Sequence, residues 1–391
     1  MFKQDKAHWE ALAGFHTANE IAQQPETWLK TLDIVTSKRS EIEAFINQVT
    51  GQEDFDVIFT GAGTSEFVGN SLAPILQAAY GRNFKSVATT NIVVTPEVYV
   101  HPTRPTLLVS FGRSGNSPES IAAVDVVNEV NKNAKHLVIT CNHEGKLALR
   151  DDENIYSIKL PKETNDQSFA MTSSFSNMFL AAYLSFNIDK LESYTDAVNE
   201  VVRVGKHIES DRFQIVKDTV DSFDFDRIVY LGDADLNGFA QESALKMLEL
   251  TAGETVTMHN SPLGFRHGPK SIVNDKTLTV IYMKEAEYVR KYQIDLIREM
   301  SGQRAGNKIM VVDTRHDSQI KDLVDVYEVI EYNETMNMDL VGLNMVMYAQ
   351  IFSLYQSIKL NKSPDNPWPS GLVNRVVQGV IIYPYHNGGA K

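Results

Sequence analysis

Short runs of apolar and β-branched residues, each ending in a glycine- or hydroxyl-bearing loop that feeds a longer periodic segment, recur along this chain and leave few folds open. Asp56-Val-Ile-Phe-Thr60 precedes a glycine turn and a helical segment from Ser65 to Tyr80. Thr106-Leu-Leu-Val-Ser110 precedes a second turn and a segment from Ser117 to Asn131, and His136-Leu-Val-Ile-Thr140 follows. Strands joined by crossover helices build a parallel sheet. The order then repeats: Arg227-Ile-Val-Tyr-Leu231 feeds a helix through Leu250, Leu278-Thr-Val-Ile-Tyr282 feeds one to about Met300, and Lys308-Ile-Met-Val-Val312 follows. Two α/β domains of doubly wound, flavodoxin-like type are therefore expected, at 51–205 and 212–360. Residues 1–50 read as a helical arm broken at Gln24-Pro25, and 361–391, with Ser363-Pro-Asp-Asn-Pro-Trp-Pro-Ser-Gly371, as an extended tail over the active site.

Composition narrows the function. A net charge of −13 over 391 residues argues against wrapping a nucleic acid, which needs a face rich in Lys and Arg. A local anion site remains open. The one cysteine, Cys141, permits neither an internal disulfide nor a Cys-rich zinc site. The N-terminal residues hold no signal-like apolar stretch, and no later segment offers about 18 uninterrupted apolar residues. The expectation is a soluble, cytoplasmic protein without membrane or nucleic-acid partners.

Three loops gather hydroxyl groups. In Thr60-Gly-Ala-Gly-Thr-Ser65 the glycines allow a tight turn, while Thr64 and Ser65 stand beside the unpaired N–H groups of a starting helix, where an anion is favoured. An ordinary N-cap reads equally well there. Gly112-Arg-Ser-Gly-Asn-Ser117 repeats the construction one strand later, with Ser117-Pro-Glu-Ser as a helix start. Thr164-Asn-Asp-Gln-Ser-Phe-Ala-Met-Thr-Ser-Ser174 adds a third cluster. At the carboxyl edge of a parallel sheet such loops predict a phosphate cradle of little net charge. In the second half Glu242 and Glu249, seven residues apart, share a helical face with Lys246 between them. A solvated Glu-Lys ladder is one reading. The apolar run around Glu249 favours another, a carboxyl group that takes and returns a proton. Asp233 and Asp235 read as caps of the following helix or as contacts to a sugar hydroxyl. His259, His101 and His143 lack metal spacing with carboxylates, so neither metal nor cofactor is expected.

The order Gly61-Ala-Gly-Thr-Ser65, Arg113-Ser-Gly-Asn-Ser-Pro-Glu119, Ala170-Met-Thr-Ser-Ser-Phe175, Glu242-Ser-Ala-Leu-Lys-Met-Leu-Glu249 and Gly264-Phe-Arg-His-Gly-Pro269 resembles the sugar isomerase (SIS) domain pair of phosphosugar-binding proteins. It is similar to the isomerase part of glucosamine-6-phosphate synthase. The Arg-Ser-Gly-Asn-Ser-Pro-Glu-Ser version, with Ala22-Gln-Gln-Pro25, resembles the bacterial AgaS group associated with galactosamine 6-phosphate catabolism. The resemblance implies that Thr64, Ser65, Arg113, Ser114 and Ser117 bind the substrate phosphate. Gly63, Gly112, Ala170, Thr172, Glu242 and Arg375 contribute less directly. It implies Glu249 as general base and His267 as the group that opens the sugar ring, reaching the active site of a neighbouring subunit in a homodimer or homotetramer. Two departures stand out: Gly112 replaces a serine common in relatives, with Arg113 beside it to compensate, and the synthase's C-terminal lysine has no counterpart, so that its role is either absent or falls to Arg375.

With Phe2 after Met1 and the one cysteine at 141, no ammonia-supplying glutaminase with an N-terminal cysteine is expected. The expected direction is catabolic: galactosamine 6-phosphate to tagatose 6-phosphate and ammonia. A ketose/aldose isomerase without deamination, a fructosamine phosphate deglycase and a non-catalytic phosphosugar sensor remain as alternatives.

Overall fold

The computed structural model describes residues 1–81, 83–377 and 379–386; Arg82, and within the expected tail Gln378 and 387–391, lie outside the described residues. The chain divides into two compact units. One comprises Glu26–Asp166, Ser173–Thr195 and the described residues from Gly371 onward; the other comprises Met1–Pro25, Gln167–Thr172 and Asp196–Ser370.

The first unit holds a parallel sheet of β1 (Asp56–Thr60), β2 (Phe84–Ser86), β3 (Thr106–Gly112), β4 (Lys135–Thr140) and β5 (Ile155–Lys159), in the order β2-β1-β3-β4-β5. The second unit holds β6 (Arg227–Leu231), β7 (Val256–Asn260), β8 (Thr277–Tyr282), β9 (Lys308–Asp313) and β10 (Val326–Val329), in the order β10-β9-β8-β6-β7. Read from its other edge, the second order is the first: 2-1-3-4-5, the flavodoxin-like winding that the repeat predicts. Each sheet reverses strand order once, between β1 and β3 and between β6 and β8, and loops at such a reversal are where open α/β sheets bind ligands.

The strands anticipated from sequence are the central ones. Every residue of β1, β3 and β8 is buried, because helices cover both faces. Ile58, Leu108 and Val138 meet Val124 and Val127 of the helix Pro118–Val130 in one core, and Val229, Ile281 and Val311 meet Leu296 and Ile297 in the other. Each such side chain contributes about 1.5–3 kcal/mol relative to exposure. The four unanticipated strands, β2, β5, β7 and β10, are all edge strands and only half-buried, so no continuous apolar run marks them.

The arm is helical, but its break differs from expectation. Helices span Lys6–Ala11, Phe15–Ala22, Gln24–Ser37 and Arg39–Thr50. Pro25 lies in the first turn of the third, where a missing N–H costs nothing. Within the first unit that helix is tied down by Trp28 Nε1 donating to Ser176 Oγ at 3.0 Å and Thr31 Oγ1 to Asn177 Oδ1 at 2.7 Å.

Candidate functional site

In the first unit the turn after β1 is set by its glycines. A Cβ on Gly61 would lie 2.4 Å from the Ser65 carbonyl carbon, and Gly63 takes φ 56°, ψ −128° to start the helix Thr64–Tyr80. Thr64 and Ser65 open that helix, buried, and no side chain caps it. Ser117 is the N-cap residue of Pro118–Val130, yet its hydroxyl makes no cap bond. Ser114 is half-buried and accepts from the Asn116 N–H at 3.3 Å. Gly115, at φ 61°, turns the loop between them, and Thr140 Oγ1 donates to the Gly112 carbonyl at 2.7 Å while Asn142 Nδ2 donates to that of Ser114 at 3.0 Å. The two loops thus flank the reversal between β1 and β3. Below them Thr60 and Ser110 are register partners whose Oγ atoms are buried without a hydrogen-bond partner among the described residues, a pair that sequence reading missed.

The third cluster departs from the expected cradle, because its serines serve internal carboxylates. In the first unit Asp166, wholly buried, accepts from Ser173 Oγ and from Ser174 N at 2.9 Å and Oγ at 2.5 Å. In the second unit Glu20 accepts from Ser168 N at 3.2 Å and Oγ, and Ser168 Oγ also contacts the Ala170 carbonyl at 2.8 Å. Ala170 and Thr172 are buried. Arg113 does not face solvent: it is 6% exposed, and its Nη2 donates to the Arg375 carbonyl at 2.8 Å. Arg375 Nη2 in turn donates to the Asp166 carbonyl. The only cysteine, Cys141, is buried, and burial pushes its thiol up to about 12, which removes it as a nucleophile.

In the second unit the turn after β6 copies the turn after β1. A Cβ on Gly232 would meet the Leu236 carbonyl oxygen at 2.3 Å, and Ala234 takes φ 54°, ψ −121°, as Gly63 does. Asp233 and Asp235 do not cap the helix Asp235–Leu250. Asp235 pairs with Lys284 at 2.6 Å, Asp233 accepts from Gln293 Nε2 at 3.0 Å, and burial raises both carboxyl groups above the usual range.

That helix carries Glu242, Lys246 and Glu249, seated on β8 by Ser243 Oγ, 2.9 Å from Tyr282 OH. A solvated ladder is ruled out: the side chains of Glu242 and Lys246 are 0% exposed and that of Glu249 is 25% exposed. The Lys246 ammonium lies 2.5 Å from Glu249 Oε2 and 3.3 Å from Glu242 Oε1. The carboxylate left within reach of a ligand is Glu249. His267 is exposed, in the loop after the short helix Pro262–Phe265, and has no hydrogen-bond or ion-pair partner from its ring among the described residues. The loop is fixed beside it by Arg266 to Asp295 at 2.7 Å and to Glu299, and by Lys270 to Glu299. Gly268 at φ 113° closes the turn. Among the described residues no three His, Cys, Asp or Glu side chains group to hold a metal ion, and no helix is long and apolar enough to cross a membrane.

The SIS domain family model matches residues 52–188. The chain is 39% identical over 397 residues to the D-galactosamine-6-phosphate deaminase AgaS of Escherichia coli, covering 96% of this chain and 97% of that one. It is 40% identical over 376 residues to the D-galactosamine-6-phosphate deaminase AgaS of Shewanella sp. (strain ANA-3), with 95% and 92% covered. Among solved structures, the tagatose-6-phosphate ketose/aldose isomerase from Escherichia coli superposes with a TM-score of 0.87 at 34% identity, over 98% of this chain and 99% of that one. A Clostridium novyi NT protein carrying a provisional assignment of the same name reaches 0.95 at 41% identity, over 98% and 99%.

Proposed function

We propose, from the premise that this chain belongs to the AgaS family of SIS-domain enzymes, that it is a deaminating isomerase of galactosamine 6-phosphate. The observation that carries the reading is the constellation of Lys246 between Glu242 and Glu249, which leaves one carboxylate partly accessible and fixes it against a buried cation.

In this reading the phosphate is held by Thr64, Ser65, Ser114 and Ser117 together with the N–H groups that begin their helices, an anion site made without net charge. Gly63 and Gly112 keep the backbone close to it. His267 moves the proton between ring oxygen and anomeric hydroxyl, opening the ring to the aldehyde. Glu249 then takes the proton from carbon-2 and returns it to carbon-1. The enolamine so formed becomes a ketimine at carbon-2, and water adds to it, expelling ammonia and leaving tagatose 6-phosphate. No oxidant or metal is needed for that balance. The exposure of His267 on a rigid loop supports its donation to a second subunit, as a homodimer or homotetramer would allow, in a cytoplasmic amino sugar pathway.

A second reading is aldose–ketose exchange without loss of nitrogen, favoured by the name of the E. coli structural neighbour. Coupled ammonia assays on galactosamine 6-phosphate and glucosamine 6-phosphate, with the N-acetylated forms as controls, separate the two. Ammonia from the galactosamine compound supports deamination; interconversion of tagatose 6-phosphate with its aldose and no ammonia from either amine supports plain isomerisation.

A further inference from the structure

We infer that Arg113, although it stands inside the Gly112–Ser117 loop, is a positioning residue for the C-terminal segment and not a ligand of the substrate phosphate. The inference rests on reading that loop as phosphate-binding. It starts from where the guanidinium is used. Arg113 follows the last residue of β3 and is 6% exposed, with Nη2 spent on the Arg375 carbonyl at 2.8 Å. A cation recruited for an incoming anion is expected to keep its donors turned to solvent or to the anion's position; this one is buried and commits Nη2 to a backbone carbonyl.

The relay continues from the tail. Arg375, whose carbonyl Arg113 holds, sends its own Nη2 to the Asp166 carbonyl. Asp166 is wholly buried, and its carboxylate fixes Ser173 and Ser174 at the start of the helix Ser173–Phe186. Two arginines thereby join three separate pieces of chain within one unit: the loop after β3, the tail at residue 375 and the loop before the helix at 173. A planar guanidinium with several fixed donors suits such bridging, and a lysine does not replace it. On either side of that point Leu372, Val373 and Val377 are exposed by 80%, 45% and 52%, and further along Tyr385 packs against the core of this unit. Arg113 does not make good the hydroxyl absent at that position, so the phosphate contacts fall to Ser114, Ser117 and the helix N–H groups.

The test uses the full-length protein and its Arg113→Ala and Arg113→Lys variants, with two readouts. Amide hydrogen exchange is followed in peptides between Gly371 and Tyr385, and the affinity for inorganic phosphate is measured by calorimetry. The expected result is tail exchange faster by about tenfold or more in both variants, with phosphate affinity within about threefold of wild type. Phosphate affinity lower by more than about tenfold in either variant, or tail exchange unchanged in both, overturns the inference. A Ser114→Ala control keeps the underlying reading separate. If wild type binds no phosphate, or Ser114→Ala binds it equally well, the loop assignment fails while tail exchange still decides the latch.

Discussion

The ammonium of Lys246, with no exposed surface, lies 2.5 Å from the carboxylate of Glu249, one turn further along the same helix. On the other side Glu242 is equally buried, 3.3 Å away. One cation therefore serves two carboxylates. Removing it leaves buried negative charge uncompensated, and breaking a buried pair in this way costs about 3–5 kcal/mol. Lys246→Met is expected to lower the unfolding free energy read from urea denaturation by that amount, and adding Glu242→Gln to recover part of it. A Lys246→Met protein as stable as wild type would contradict the arrangement.

Ser117 tests the proposed phosphate-binding role of its loop without disturbing the fold. It occupies an N-cap position, where replacing serine by alanine normally costs about 1 kcal/mol, but its hydroxyl makes no cap bond here. Ser117→Ala should change stability by less than about 0.5 kcal/mol. A lost hydrogen bond to a charged phosphate should still raise KM by about tenfold or more. Steady-state kinetics beside thermal melts read both, and loss of stability with an unchanged KM would make the residue a cap.

Ala234 holds φ 54°, ψ −121°, the dihedrals that Gly63 holds in the other unit. A side chain in that region stores about 1–3 kcal/mol of strain, against which glycine costs about 0.5–1 kcal/mol of unfolded-chain entropy. Ala234→Gly should therefore stabilise the chain by about 1 kcal/mol. Chemical denaturation giving a lower midpoint would show that the strain is relieved elsewhere.

Burial holds the imidazole of His136 down at about 4, against a usual 6.5, with the Arg150 charge adding to the effect. The folded chain keeps this ring neutral while the unfolded chain protonates it. Its contribution is thus fully present above pH 6.5, is lost as pH falls from 6.5 towards about 4, and levels off below. The loss amounts to about 3 kcal/mol. His136→Gln, which can still meet Asn128, the partner of Nε2 at 2.8 Å, should show a shallower fall in urea midpoint between pH 7 and pH 4. Parallel profiles for the two proteins would contradict it.

What the sequence made legible follows burial. Central strands such as Asp56–Thr60 are buried throughout because both faces are covered, so an apolar run at their centre announces them; β2, β5, β7 and β10 have one neighbour strand and one wet side, and their mixed composition does not. Loop chemistry at the strand ends was equally visible, since glycine and hydroxyl spacing is local. Partners distant in sequence were not. That Ser168 belongs to Glu20 and that Arg113 belongs to the carbonyl of residue 375 depends on chain crossings that no local pattern records. Lys246 was seen as one member of a helical face, yet its complete burial came only from the packing around Asp235–Leu250.

The most direct measurement is turnover of galactosamine 6-phosphate by Glu249→Gln. Gln preserves the shape of the side chain and removes its ability to accept the carbon-2 proton. The account predicts that ammonia release falls by about 10²–10⁴-fold while the affinity for the sugar phosphate is retained. Ammonia release near the wild-type rate would contradict the assignment of Glu249 as the base.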